Sequence, residues 1–470
     1  MARTEASGGR AARRCAMLLV LAAAGLRAPG VAPAEAVYSL DDLLKASVTG
    51  NPDIDELLSG VAADRAALDG AQADRLPSLK LADYGTYVAN PQAPISISKG
   101  SVGTLPLGGG VVIPLPEADT VVVPGAEHWE FDVELQVTQP LFTWGKIAGN
   151  VALHQGMLSA DGLKVKKKQE EVQTMVRVDY YSLYYLDRLV DLLTEQGAVA
   201  DQMLQVAQDS YAAGQITEAD LAEKRMKIRE IGHATRTVEE QRESVLRDLR
   251  QATGRPDVRA ENVQFSAVDS GLMQRELPEE AALLALALGR NADIRLSRAA
   301  EQIYRSKVDI TQSDELFKPS LALSVRLGYL GPVLTNWSFR DDWIGDVTLA
   351  VSAPLFDGGK SDAAVAEARS QLQQALQQTQ GATRSVTKFV SETCYQMSVA
   401  RDSLAYYAQR VSDAQEIEAY QKQILDAGAG SRVDYYQKRL DVFTEQAHVI
   451  EQQLAWAARY FALQNATGGF

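Results

Sequence analysis

The chain has 470 residues, a formal net charge of −14 and 23% charged side chains, a length that holds two or three ordinary domains. So acidic a balance argues against nucleic acid as a partner, because phosphate binding needs basic patches. No segment reaches about 18 consecutive apolar residues, so no transmembrane helix is expected, and that leaves a soluble fold or a β-barrel.

Residues 1–36 read as a signal peptide. Arg10, Arg13 and Arg14 precede an apolar run from Met17 to Leu26, and Ala34-Glu35-Ala36 offers a small-residue cleavage site. Arg13-Arg14 lacks the rest of a twin-arginine motif, so the ordinary secretory route is expected. Cys15 lies ahead of the apolar run, where it cannot serve as a lipoprotein anchor. Cleavage removes five Arg and two Glu, takes the charge to about −17 and leaves Cys394 without a disulfide partner.

Residues 37–254 form a first unit: short helices, a strand at about 77–89, a second at about 128–139, then long helices at about 144–213 and 217–252. In the second strand Trp129, Phe131, Val133, Leu135 and Val137 alternate with Glu130, Asp132, Glu134 and Gln136. Such a period of two fits a half-buried soluble sheet, or a barrel with lipid on one side and water on the other. Between the strands, Asn90 to Gly125 holds six prolines and six glycines and reads as a long loop. From Leu141 to Arg255 there is no proline, and Gly214 supplies the one good helix stop.

After a linker at 255–277, residues 278–470 repeat the plan, with strands at about 319–330 and 343–353 and helices at about 358–427 and 431–466. A constant offset of 214 positions relates Pro140 to Pro354, Gly214 to Gly428, and Trp129 to Trp343. Helices packed along their whole length require such a register, since one inserted residue turns every later side chain by about 100°. Each 70-residue rod would span roughly 105 Å at 1.5 Å per residue. Leu183, Leu186, Val190 and Leu193 in the first rod, and Leu440, Phe443, Ala447 and Ile450 in the return helix after Ser431, fall at steps of three and four, a coiled-coil seam. The tyrosine run from Tyr180 to Tyr185 reads as packing. The expected fold is mainly α with a transmembrane β-barrel, made of tandem β-β-α-α repeats and long helical hairpins.

Four strands cannot close, and an open edge is not tolerated in lipid. Copies would therefore share a barrel, with eight strands as a dimer or twelve as a trimer. The tandem repeat, the lead-ins "QPLFTWGK" and "APLFDGGK", the glycine tips and the Ala-Thr-Gly helix ends together resemble the TolC-type outer-membrane efflux family. That resemblance covers nearly the whole mature chain. It implies a homotrimer in outer-membrane lipid, with a twelve-stranded barrel continuous with an α-helical barrel across the periplasm. It also implies a passive exit duct of a tripartite efflux or type I secretion system, docked to a periplasmic adaptor and an inner-membrane transporter.

Matched by position, the family's pore-ring aspartates fall on Asp220 and Asp434. The tips, and with them the docking surface, fall on Gly214, Gln215, Ile216 and Thr217, and on Gly428, Gly430, Ser431 and Arg432. This chain departs from the family's locking residues at Leu425, Gly430 and Gln437. Thr217-x-x-Asp220 and Ser431-x-x-Asp434 also have the spacing of a capping box, so capping alone accounts for both aspartates, and the two roles are compatible. Six carboxylates crowded in a trimer would raise one another's pKa values. Glu130, Asp132, Glu134 and Arg326 are candidates for the barrel lumen. The four histidines are scattered and no nucleophile–base pattern appears, so neither a metal, a cofactor nor an enzyme is expected. A soluble periplasmic coiled-coil scaffold or adaptor is the rival reading.

Overall fold

The computed structural model describes residues 37–107, 109–265, 271–273, 275–331 and 343–470; the expected signal peptide lies outside them. In chain order the elements are α1 (Leu40–Val48), α2 (Pro52–Ala73), β1 (Ser78–Tyr87), β2 (Ile95–Ile97), β3 (Gly103–Leu107), β4 (Val111–Leu115), β5 (Thr120–Val123) and β6 (Trp129–Phe142). Then follow α3 (Lys146–Ala212), α4 (Glu218–Thr253), α5 (Glu280–Arg290), α6 (Ala292–Ser313), β7 (Ser320–Gly331), β8 (Trp343–Ser352), α7 (Lys360–Asp426) and α8 (Arg432–Thr467).

The two rods α3 and α7 are 67 residues each, about 100 Å at 1.5 Å per residue. Both start after a left-handed glycine, Gly145 at φ 89° and Gly359 at φ 87°. Both stop at a left-handed glycine as well, Gly214 at φ 71° and Gly428 at φ 75°. At the first tip Gln215 N donates to Ser210 O at 2.8 Å, and at the second Ala429 N donates to Ile424 O at 3.1 Å. These bonds close the last turn as a Schellman motif does, and the left-handed residue it needs is most cheaply a glycine.

The six longer helices form a single layer, with α1 set against α3 and α4, and α5 against α7 and α8. On the tip side of the molecule α4 packs on α3, α3 on α8 and α8 on α7; on the sheet side α2 packs on α3, α3 on α6 and α6 on α7. The main sheet has the order β1-β6-β7-β8, antiparallel throughout. Each tier therefore ends on β1, α2 or α4 at one side and on β8 or α7 at the other.

The principal core lies where α3 meets α1, α4 and α8 and where α5 packs on α7 and α8, with Leu183, Leu249 and Leu283 fully buried. The tyrosine run belongs to it. Tyr181 packs on Phe461 with ring centres 4.8 Å apart, and Tyr180 packs on Phe265 at 5.2 Å. The linker joins the same core through Val258, Val263 and Leu272, so it holds the two repeats together. A smaller cluster of Ala200, Met203, Ile231, Leu440 and Phe443 continues the seam toward the tips, and beyond it Tyr211 is exposed.

The segment Asn90 to Gly125, expected as a loop, is instead a pair of two-stranded ribbons, β2 with β5 and β3 with β4. Its prolines and glycines do not break the pairing. Pro106 and Pro114 lie inside β3 and β4, and Gly109 and Gly110 take the left-handed turn between them at φ 90° and 81°. A proline is tolerated in a ribbon at positions whose N–H would face outward.

Asp179 on α3 is held mostly away from water with its Oδ2 unpartnered, and burial, then the nearby Asp248 carboxylate, push its pKa up to about 7. A raised folded-state pKa stabilises the fold fully below the unfolded value, near 4, and that stabilisation is lost as pH rises through 7. Asp179→Asn is therefore expected to flatten the fall in melting temperature between pH 5 and pH 8, an effect on the order of 2–4 kcal/mol per copy. Thermal melts at both pH values check this; equal slopes in the two proteins contradict it.

Candidate functional site: the sheet faces and the hairpin tips

Strand register sorts the sheet into two unlike faces. Glu134 and Gln136 on β6 stand opposite Ala82 and Lys80 on β1, while Arg326 on β7 stands opposite Gln136 and Asp346. Arg326 bridges its neighbours: its Nε lies 2.7 Å from Asp346 Oδ2 and its Nη1 lies 3.5 Å from Glu134 Oε2. Gln136 Nε2 donates to Ser324 Oγ at 3.0 Å. Asp132 and Glu130 continue this polar face beside Tyr84 and Thr86.

The opposite face is aliphatic and uncovered. Leu79, Leu81, Leu135, Leu327, Val347, Leu349 and Val351 are all exposed, Val347 at 72%. Aromatic rings bound this face at both ends. Tyr87, Trp129 and Phe131 cluster at one end, with Trp343 exposed on β8; Tyr87 and Trp129 lie 5.2 Å apart between ring centres. At the other end, where the strands lead into α3 and α7, Phe142, Trp144, Phe317 and Phe356 are exposed. From Trp129 to Phe142 the strand runs about 43 Å at 3.3 Å per residue. Tilted by about 45°, it crosses about 30 Å, the thickness of a bilayer's hydrocarbon. Apolar bands flanked by aromatic girdles are how membrane barrels meet lipid.

The first tip closes a full capping box. Thr217 N and Oγ1 donate to Asp220 Oδ2 at 2.9 and 2.8 Å, and Asp220 N donates to Thr217 Oγ1 at 3.2 Å. The backbone bond from Thr217, then its hydroxyl, holds the Asp220 carboxyl below the usual range. The second tip differs from the expected symmetry. Ser431 Oγ accepts from Val433 N at 3.2 Å, and the return bond from Asp434 is not made. Asp434 is left exposed in the first turn of α8, where its charge still favours the helix dipole.

Around the tips Gln215 and Thr217 are exposed and Ile216 is half-buried. Gly430 lies so close to the end of α7 that a Cβ there would meet Ile424 Cγ2 and Leu425 N at 3.1 Å. A long side chain at this position would require that turn to shift, so the glycine fits the local backbone. Gln437 Nε2 donates to Asp441 Oδ1 at 3.3 Å. Arg432 opens α8, and among the described residues no ion pair reaches it.

A family model described as outer membrane efflux protein matches residues 43–255 and 283–469. The chain belongs to this outer membrane efflux protein family. Outer membrane protein TolC of Salmonella enteritidis is 26% identical over 354 residues, covering 73% of this chain and 68% of the relative. Outer membrane efflux protein BepC of Brucella suis is 20% identical over 345 residues, 72% of either chain. Among solved structures, the outer membrane protein VceC of Vibrio cholerae superposes with a TM-score of 0.73 at 17% identity, covering 92% of this chain and 96% of its own. The open-state outer membrane channel MtrE of Neisseria gonorrhoeae gives a TM-score of 0.69 at 16% identity, covering 92% of this chain and 89% of its own. These two likenesses show a shared fold.

As a member of the outer membrane efflux protein family, the chain is an outer-membrane efflux channel protein of a Gram-negative bacterium, with its helices extending into the periplasm. Two features of this efflux protein's sheet escape a reading of the sequence. Asp346 is the strongest partner of Arg326, yet only strand register brings the two together. Trp129 and Trp343, at the repeat offset, are the girdle's signal in the sequence, and strand pairing adds Tyr87.

Proposed function

We propose that three copies close head to tail into one twelve-stranded barrel continuous with a helical tube, forming the passive exit duct of a tripartite efflux or type I secretion system. The observation that carries this is the common edge of every tier. Strands alternate in direction across β1-β6-β7-β8, so β8 of one copy meets β1 of the next antiparallel. The same rotation lays α7 against α2 and α4 of the next copy. Exposed Tyr395, Val399, Ile417, Tyr420 and Ile424 along α7 supply an apolar seam for that contact. A dimer would give eight strands, whose interior side chains fill; twelve leave a passage.

In this duct Glu130, Asp132, Glu134 and Arg326 line the lumen and bias it toward cations. Asp220 and Asp434 ring the periplasmic aperture, and the surrounding tip residues bind a periplasmic adaptor that couples the duct to an inner-membrane transporter. Docking there opens the aperture; the open state of the Neisseria channel supports such a movement. Asp220 caps α4 as well, so its gating role adds to a structural one, whereas Asp434 is free of that duty.

Single-channel recording in planar bilayers tests both parts. The purified trimer is expected to conduct, and Asp220→Ala with Asp434→Ala to raise conductance or lower cation preference. Unchanged conductance and selectivity would remove the gating role, and a trimer that never conducts, even with its tips excised, would remove the duct.

A further inference from the structure

The ribbons between β1 and β6 stand apart from the duct wall. They leave the sheet beyond Tyr87 and Trp129, at the end opposite the helices, and so lie on the outer side of the membrane. The stem is well fixed. Val88 N donates to His128 O at 2.8 Å and Ala126 N to Gln92 O at 2.9 Å. A Cβ on Gly125 would come within 2.8 Å of Pro94 Cδ, so the two arms of the stem touch there through a glycine.

At the far end the β3–β4 register sorts side chains cleanly. Leu105 faces Ile113, Leu107 faces Val111 and Gly103 faces Leu115, which gives one face of five aliphatic side chains. Thr104, Pro106, Val112 and Pro114 make the other face. Four of the five aliphatic residues are exposed and Ile113 is half-buried. From Gly100 to Pro116 there is not one charged side chain, in a chain whose net charge is −14. A lone two-stranded ribbon is marginal in water, and an aliphatic face of this kind needs a cover.

Three covers are conceivable, and the ribbon's chemistry separates them. Hydrocarbon is disfavoured, because both edges of a two-stranded ribbon carry unpaired backbone groups that lipid does not satisfy. Strand addition is disfavoured, because Pro106 and Pro114 remove an outward donor from each edge. What remains is packing of face on face. The ribbon grows from β1, the edge strand that meets the next copy's β8, so barrel closure carries three identical uncharged faces around one axis.

We infer that the aliphatic faces of the three β3–β4 ribbons pack on one another above the outer mouth of the barrel, making an extracellular contact between copies of this chain. The inference rests on the trimeric closure proposed above. It gives the duct a second constriction, at the end remote from the helical tips, held by apolar contact instead of charge.

Site-directed cross-linking of the full-length protein in intact cells tests it, using a short bismaleimide and the unsubstituted chain, which retains Cys394, as the control. Leu105→Cys is expected to give covalently linked copies, and Val112→Cys, equally exposed on the opposite face, is expected to give none. Replacing residues 96–122 by a short turn is expected to leave the trimer intact and raise its single-channel conductance. A detergent-stable trimer in which Leu105→Cys fails to cross-link overturns the ribbon contact alone. So does quenching of a fluorophore on Leu105→Cys by brominated lipid, which would place the face on the membrane. A protein that never forms a trimer overturns the barrel closure, and this contact with it.

Discussion

Val347→Arg is expected to abolish recovery of folded protein from the outer membrane, while Thr348→Arg, one residue along the same strand, is expected to leave assembly intact. Both side chains are exposed on β8, and they point to opposite faces. Val347 lies mid-strand on the aliphatic face, between the aromatic girdles. An arginine near the middle of the bilayer on a barrel's lipid face costs about 2–4 kcal/mol, and a trimer bears that cost three times. Thr348 lies on the polar face, where its hydroxyl donates to Asp346 Oδ1 at 3.1 Å. An arginine there meets water and a carboxylate, and its effect is a shift of selectivity away from cations. Heat-modifiable migration of the membrane fraction reads the first outcome and bilayer recording the second. Equal recovery of the two variants would mean that the aliphatic face does not meet lipid.

The second large effect concerns the helical edge. Tyr395 and Tyr420 on α7 are 70% and 58% exposed in the single chain, and the closure proposed above would bury them against the next copy. Tyr395→Asp with Tyr420→Asp would place two unpaired carboxylates in that seam, at about 3–5 kcal/mol for each buried charge left without a partner. The expected result is a monomer in detergent whose helical content is unchanged, because the core around Leu183 and Leu249 lies elsewhere. Sedimentation and circular dichroism together check this. A trimer of ordinary stability would place the seam in the lumen or on the outer surface.

These two positions also mark what a sequence can and cannot disclose. Alternation along β6 is readable because every second residue from Trp129 to Val137 is apolar, and the long rods because no proline interrupts them before a glycine with matching partners in both repeats. The seam on α8 is readable because its own chain covers it. The seam proposed on α7 is not, since nothing in its own chain covers Tyr395 or Tyr420 and only the folded chain shows their exposure. Composition misread the Asn90 to Gly125 segment for a different reason: prolines and glycines count as loop signals, yet a ribbon accepts prolines at outward-facing positions and needs glycines at its turn. The tips show the finest limit. Thr217-x-x-Asp220 and Ser431-x-x-Asp434 look equivalent, but only the first closes its box.

Cyclic closure of three copies underlies the duct, the lumen and the tip ring alike, and electron cryomicroscopy of the detergent-extracted protein addresses it most directly. The expected map has threefold symmetry, twelve strands with β8 of each copy paired to β1 of the next, and α7 of each copy seated against α2 and α4 of its neighbour. A monomer, a dimer, or a trimer whose β1 and β8 edges remain unpaired would contradict it.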